Sequence, residues 1–260
     1  MVGRDGFQRG VGVKQFAVVI PAAGQSTRFG GPVRKPFVTL AGKPVWHRTL
    51  DLFARRPDVA GVALVLSPDA LDDFREQFGV TLNFTYGNVS LIAGGAERFE
   101  SVANALAALP DAAEFVAVHD AVRCLTPTAV IDAVFAAAIE IGGAMAAVPL
   151  ADTLKRVDPA TNHIVETVPR AGLWQAQTPQ AFRRDWLHAA YARRGELPGQ
   201  ITDDAQLMEA AGHPVVVVPG SPVNFKITTA ADLALADAVL RPVAPPPPPV
   251  RRFGDDGLFR

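Results

Sequence analysis

Arg28 and Lys35 follow a turn of very small residues, Ala22-Ala23-Gly24, and the combination suits a polyphosphate. Small residues let a ligand lie against the backbone and take hydrogen bonds from main-chain N–H groups. Two fixed cations then offset charge already present on the ligand and charge that grows on a departing group. A plain strand-to-loop turn would explain Gly and Ala but not Arg28 and Lys35. Two other glycine-rich motifs fail on spacing. No Gly-Lys-Ser/Thr is in place after Gly24 for a P-loop, and Gly10-Val11-Gly12 precedes the strand that a dinucleotide fingerprint should follow. Further along, Asp120 is a candidate ligand for Mg²⁺ or another divalent cation, which prefers oxygen donors. Lys226 is a third phosphate cation, and Arg123 stands three residues after Asp120.

These residues need strands that end beside one another. Phe16 to Ile20 is apolar without alternation, as expected of a parallel strand buried on both faces, and Pro21 ends it. Val62 to Leu66, Val89 to Ile92, Phe115 to Val118, Gly143 to Val148 and Val215 to Val218 read as further strands, with a short β-rich segment at Val80 to Phe84. Helices are expected around Val45 to Phe53, from Ser67-Pro68-Asp69 to Phe78, after Gly94-Gly95, over Thr128 to Ile141 and over Ala181 to Tyr191. Thr202 reads as the N-cap of another, and Thr229 with Asp232 as a capping box. The alternation predicts an α/β fold with a doubly wound, mostly parallel sheet, whose ligands sit at the carboxyl ends of the strands. Asp120 arrives at such an end. His119 beside it reads as a hydrogen-bonded structural residue. Leu150 to Val168 breaks the rhythm with a hairpin turning at Asp158 to Asn162.

Composition excludes several classes. A formal charge of −1 over 260 residues gives no sequence-wide attraction to nucleic acid or anionic membrane. Cys124 is alone, so no disulfide framework or thiolate metal cluster is expected, and no apolar run reaches transmembrane length. The expectation is a cytoplasmic protein. Residues 1–15 read as a flexible leader, 16–240 as one folded domain with the hairpin at about 150–170, and 241–260 as a Pro-rich tail acting as a spacer. That tail is expected to be too short to bury a core of its own.

Motifs in order extend the reading. Pro21-Ala22-Ala23-Gly24 with Arg28 and Lys35 resembles the nucleotidyltransferase signature of the 2-C-methyl-D-erythritol 4-phosphate cytidylyltransferase family. Gly94-Gly95-Ala96-Glu97-Arg98 with Ser101, His119-Asp120-Ala121 with Arg123, and Asp152-Thr153 resemble its later motifs. So do Gly172-Leu173-Trp174 with Thr178-Pro179-Gln180, Thr202-Asp203-Asp204, and Asn224-Phe225-Lys226. The resemblance covers about Phe16 to Leu240. It implies a Rossmann-like nucleotidyltransferase fold with a protruding β-arm, transfer of CMP from CTP to a sugar-alcohol phosphate, release of pyrophosphate, and help from Mg²⁺ or another divalent cation. Arg28, Lys35 and Lys226 would be catalytic. Pro21, Ala22, Ala23, Gly24, Gly94, Gly95, Ala96, Arg98 and Ser101 would bind nucleotide. Asp120, Arg123, Thr153, Arg170, Thr178 and Thr202 would bind the acceptor, with Thr153 and Arg170 supplied by the arm of a second subunit in a homodimer. Ala96 departs from the acidic residue common there, which leaves backbone contacts to read the base. Rival readings are a ribitol 5-phosphate cytidylyltransferase, a sugar-1-phosphate or molybdopterin nucleotidyltransferase, and a nucleotide-binding scaffold without turnover.

Overall fold

A computed structural model describes residues 15–24, 35–196 and 201–241. The leader, Arg28 and the Pro-rich tail after Arg241 therefore lie outside the described residues, as does the side chain of Lys35. In chain order the elements are β1 (Phe16–Pro21), β2 (Thr39–Leu40), β3 (Lys43–Pro44), α1 (Val45–Asp51), β4 (Val59–Leu66), α2 (Pro68–Tyr86) and β5 (Val89–Ala93). There follow α3 (Arg98–Leu106), β6 (Phe115–Val118), α4 (Thr128–Ile141), β7 (Gly143–Pro149), β8 (Leu154–Val157) and β9 (Ile164–Val168). The last are β10 (Trp174–Arg183), α5 (Arg184–Ala192), α6 (Asp204–Ala210), β11 (Val216–Pro219) and α7 (Ala230–Leu240).

Seven strands form one sheet in the order β11-β7-β10-β6-β1-β4-β5. Every pairing is parallel except those of β10, which runs antiparallel between β6 and β7. β1 lies inside the sheet between β6 and β4, and its alternate residues feed two cores. Phe16, Val18 and Ile20 pack with Trp46, Leu50, Phe74 and Phe135 from α1, α2 and α4. Ala17 and Val19 pack on the other face with Val102, Leu106, Leu187 and Met208 from α3, α5 and α6. That is why the β1 sequence is apolar at every position. After β1 the chain moves outward to β4 and β5 and then returns to β6 on the other side of β1. The carboxyl ends of β1 and β6 thus flank the switch point, where open α/β sheets bind ligands.

Three local expectations are corrected. Val80 to Phe84 lies inside α2. Leu71, Phe74, Phe78, Leu82 and Tyr86 recur at helical spacing on its packed face, while Val80 and Phe84 point to solvent. Ala181 and Phe182 belong to β10, paired with Ala117 and Val116 of β6, so the following helix begins only at Arg184. The N-cap of α6 is Asp203, which accepts the Gln206 N–H, and Thr202 instead donates its hydroxyl to the Gln206 side chain. The Thr229 and Asp232 capping box is present at α7. β8 and β9 form the expected hairpin, a separate two-stranded ribbon whose turn is held by Asp158 accepting the Ala160 and Thr161 N–H groups.

Candidate active site

Three loops meet at the switch point. The first leaves β1: Ala22 N–H donates to the Val65 carbonyl, which holds the Pro21-Ala22-Ala23-Gly24 turn against β4. The second joins β5 to α3. Gly94 N–H donates to the Leu66 carbonyl, and a Cβ there would stand 2.7 Å from Ala23 Cβ and 2.8 Å from Ser101 Oγ. Only glycine lets these two loops approach so closely. Ser101 Oγ accepts the Gly95 N–H at 3.1 Å and donates to the Glu97 carbonyl. The third follows β6, and Thr49 of α1 pins it by donating to the Ala121 carbonyl at 2.7 Å.

Between them lies a cleft of about 260 Å³ lined by the turn after β1, by Gly95, Ala96, Glu97, Arg98 and Ser101, and by Asp120 and Lys226. Lys226 reaches it because Ile227 N–H donates to the Val122 carbonyl and ties its loop to the one after β6. Asp120 is the electrostatic hub. Its Oδ2 is 3.1 Å from Lys226 Nζ and 3.3 Å from Arg123 Nε, and its Oδ1 is 3.8 Å from Arg98 Nε. Burial alone would raise its pKa, but the charges of Lys226, Arg98 and Arg123 outweigh that and hold the carboxyl well below its usual range. The group is ionised at neutral pH.

Behind the cleft a polar network fixes the hub. Thr178 Oγ1 accepts the Asp120 N–H at 3.0 Å and contacts His119 Nδ1 at 3.1 Å, while His119 Nε2 faces the Arg123 carbonyl. His119 is fully buried, and burial pushes its pKa down to about 4, against the Arg123 carbonyl and Asp120, which act to raise it. It is the structural histidine its sequence context suggested. Residues 177–179 leave the β10 ladder where its register shifts, which frees Gln177 and Thr178 to face this network. Asn224, fully buried, donates to the Thr178 carbonyl at 2.8 Å and accepts from Thr126 Oγ1 at 2.7 Å.

The structure brings together Pro21, Ala22, Ala23, Gly24, Gly95, Ala96, Arg98, Ser101, Asp120 and Lys226, with Gly94 packed behind them. Arg123 lies under the cleft, its guanidinium bridging Asp120 and the Asn224 carbonyl, and Thr178 is buried beneath it. Thr153, Arg170 and Thr202 are exposed and do not line the cleft of their own chain. Sequence reasoning passed over Glu100, whose carboxylate accepts the Ala96 and Glu97 N–H groups at 2.7 and 3.1 Å. Two N–H groups beside α3 are therefore already satisfied. The Glu97-x-x-Glu100 spacing carried that signal. A larger open depression of about 910 Å³ lies at the opposite strand ends, around Phe115, Gly142 and Arg184. Its Arg183 and Arg184 are already engaged by Asp185 and Asp111, which leaves little charge there for an anion.

An α/β sheet with a small-residue turn, a helix start and clustered cations at its switch point defines a protein of the nucleotidyltransferase class. The family model for 2-C-methyl-D-erythritol 4-phosphate cytidylyltransferase (IspD) matches residues 16–242, and the chain belongs to that family. The enzyme of that name from Frankia casuarinae is 43% identical over 237 residues, covering 91% of this chain and 85% of that protein. A bifunctional IspD/IspF enzyme from Rhodospirillum rubrum is 43% identical over 228 residues, covering 87% of this chain and 57% of that longer protein. Among solved structures, 4-diphosphocytidyl-2C-methyl-D-erythritol synthase from Anaerococcus prevotii superimposes with a TM-score of 0.74 at 29% identity, covering 87% of this chain and 96% of that one. The Thermus thermophilus cytidylyltransferase gives 0.69 at 34% identity, covering 86% and 98%.

Proposed function

We infer that this protein transfers CMP from CTP to 2-C-methyl-D-erythritol 4-phosphate, giving 4-diphosphocytidyl-2-C-methyl-D-erythritol and pyrophosphate. The observation that carries the reading is that motifs scattered from Pro21 to Lys226 converge on one cleft, in a chain matched by the family model over nearly all its described length. That match favours the methylerythritol acceptor over ribitol 5-phosphate.

An acceptor phosphate oxygen forms a bond to the α-phosphorus of CTP while the bond to the β-phosphate oxygen breaks, and pyrophosphate departs. The acceptor phosphate is already anionic, so no general base is needed and no covalent enzyme intermediate forms. Lys226 supplies charge at the α-phosphate. Arg28 and Lys35 are assigned to the transition state and the leaving group. The loop from Gly94 to Ser101 is assigned to the base through its backbone carbonyls, since the Gly94 to Glu97 N–H groups already have partners, and Arg123 and Thr178 support the acceptor side through Asp120. Residues Thr153, Arg170 and Thr202 are assigned to the acceptor, the first two from the arm of a partner subunit.

Among the described residues no group of three His, Cys, Asp or Glu side chains gathers to hold a metal. Mg²⁺ is ordinarily held by one or two carboxylates plus substrate phosphates, and ionised Asp120 fits that role once phosphate oxygens take over its cations. The ion would neutralise phosphate charge. No helix among the described residues is long and apolar enough to cross a membrane. A cytoplasmic location and a catalytic domain of residues 16–240 between leader and tail remain parts of this proposal.

Pyrophosphate release from a panel of nucleotides and acceptors with Mg²⁺ tests the reading. CTP with methylerythritol phosphate should be the preferred pair, since a pocket that pairs with cytosine leaves a buried group unmatched by uracil, at about 1–3 kcal/mol. No release from that pair, or equal kcat/KM for CTP, UTP and GTP, overturns it.

A further inference from the structure

Arg98 begins α3 and lines the nucleotide half of the cleft, yet its strongest partner is not in the cleft. Its Nη2 donates to Asp204 Oδ2 at 2.8 Å, while Nε is 3.8 Å from Asp120 Oδ1. Asp204 is only 1% exposed and belongs to α6, more than a hundred residues away in the chain. Its own position is determined twice. Tyr191 of α5 donates its hydroxyl to Asp204 Oδ1, and Gln180 of β10 accepts the Asp204 and Ala205 N–H groups at 3.1 and 3.0 Å. A buried carboxylate thus holds Nη2 of the Arg98 guanidinium, while the neighbouring Nε faces Asp120. The planar fork of arginine is suited to hold two such partners at once.

The structure assigns Asp204 as a positioning residue that acts through Arg98 on nucleotide binding. Resting on the cytidylyltransferase reading above, this assignment explains why a buried anion stands beside an anion-binding cleft. Asp120 carries one negative charge against three nearby cations. With Asp204 holding Nη2, Arg98 stays in the wall formed with Gly95, Ala96 and Ser101. Without that hold the guanidinium closes onto Asp120, competes there with Lys226, and leaves the nucleotide wall. Asp203, its neighbour, does something else: it caps α6 and accepts from Gln180 Nε2.

The test is kinetic, with direct CTP binding by calorimetry alongside. Asp204→Asn keeps the side-chain shape and removes the charge. We expect KM for CTP and its Kd to rise about tenfold, with kcat and the acceptor KM changed less than about threefold. Arg98→Ala should weaken CTP binding at least as much, and the double variant should bind no worse than Arg98→Ala alone, since Asp204 acts only through that side chain. A merely structural Asp204 gives the opposite pattern: additive losses in the double variant, or a fall in kcat and melting temperature with the CTP affinity kept. Either overturns the assignment. Should Asp204→Asn fail to fold, Arg98→Lys decides, because lysine keeps the charge but cannot span both carboxylates. A tenfold rise in KM for CTP supports the assignment and an unchanged KM refutes it. Wild-type protein that binds CTP but releases no pyrophosphate would instead count against the proposed function, leaving the binding comparison intact.

Discussion

Asp120 illustrates how one residue is set by its neighbours. An isolated buried carboxylate would favour its neutral form, yet three cations keep this one charged and it in turn holds them around the cleft. Lys226 is the most exposed of the three, with 45% of its side chain accessible, so it is the one best placed to exchange Asp120 for a phosphate. Lys226→Ala should lower kcat about 10²- to 10³-fold with a smaller change in KM, as expected for a contact that strengthens in the transition state. A rise in KM alone would show uniform binding instead. His119 makes a separate prediction about stability. Its folded pKa of about 4 lies below its ordinary 6.5, so the unfolded chain takes up the proton first as pH falls. The contribution is present above pH 6.5, is lost progressively as pH falls toward 4, and amounts to on the order of 3 kcal/mol. His119→Asn should flatten the dependence of the melting temperature on pH in that window. Asp120, with its depressed pKa, adds loss only at lower pH, below its ordinary 3.8.

At the scale of elements, the site depends on loops that carry few hydrogen bonds of their own and are tied to one another. Asn224 and Ser221 tie the Lys226 loop to β10: Asn224 Nδ2 donates to Gln177 Oε1 and to the Thr178 carbonyl, its Oδ1 accepts from Thr126, and the Ser221 backbone pairs with the Gln177 side chain. Asn224→Ala leaves the Thr178 carbonyl without its donor, at about 1–3 kcal/mol, while Gln177 Oε1 and Thr126 Oγ1 keep their bonds to Ser221 N–H and the Arg123 carbonyl. A lowered urea midpoint and a matching loss of turnover are expected, because the same change releases Lys226 and the Arg123 guanidinium held by the Asn224 carbonyl. Unchanged turnover in the folded variant would show that the loop keeps its place without Asn224. The β8–β9 ribbon is the opposite case, an element with little support. Among the described residues it pairs only with itself, and Ile164 and Val165 are 64% and 63% exposed. Two-stranded ribbons are marginal in water unless something covers them.

For the whole molecule, that ribbon motivates the two-chain site. Thr153 and Arg170 flank it, are exposed, and do not line their own cleft. Isologous pairing of two copies would bury the ribbon and present these residues to the neighbour. Mixing inactive Lys35→Ala with inactive Arg170→Ala protein, under conditions that exchange subunits, should restore activity. One site of the heterodimer then carries both lesions and the other is intact. Verified exchange without recovery would mean that both side chains serve the same chain's site.

What could be read from residues alone and what could not divides along the range of the forces involved. The strand at Phe16 to Ile20, the helix at Thr128 to Ile141, the capping box at Thr229 and the hairpin turn at Asp158 to Asn162 were legible because each is a local matter of burial pattern or hydrogen bonding within a few residues. The gathering of the cleft was legible only through the resemblance of its motifs. Val80 to Phe84 was misread because β-branched and aromatic residues favour strands in isolation. Packing of Leu82 with Phe74 and Phe78 on the sheet overrides that preference. Ala181 and Phe182 became strand because β6 and β7 offered ladders on both sides, partners that no local window contains. Asp203 and Asp204 stand side by side in the sequence with the same chemistry, and only the approach of Arg98, Tyr191 and Gln180 from three other elements separates a helix cap from a buried counter-ion. Local sequence specifies backbone preference and apolar period, whereas charge pairing in a low-dielectric interior is decided by which distant side chains the closed fold brings within about 4 Å.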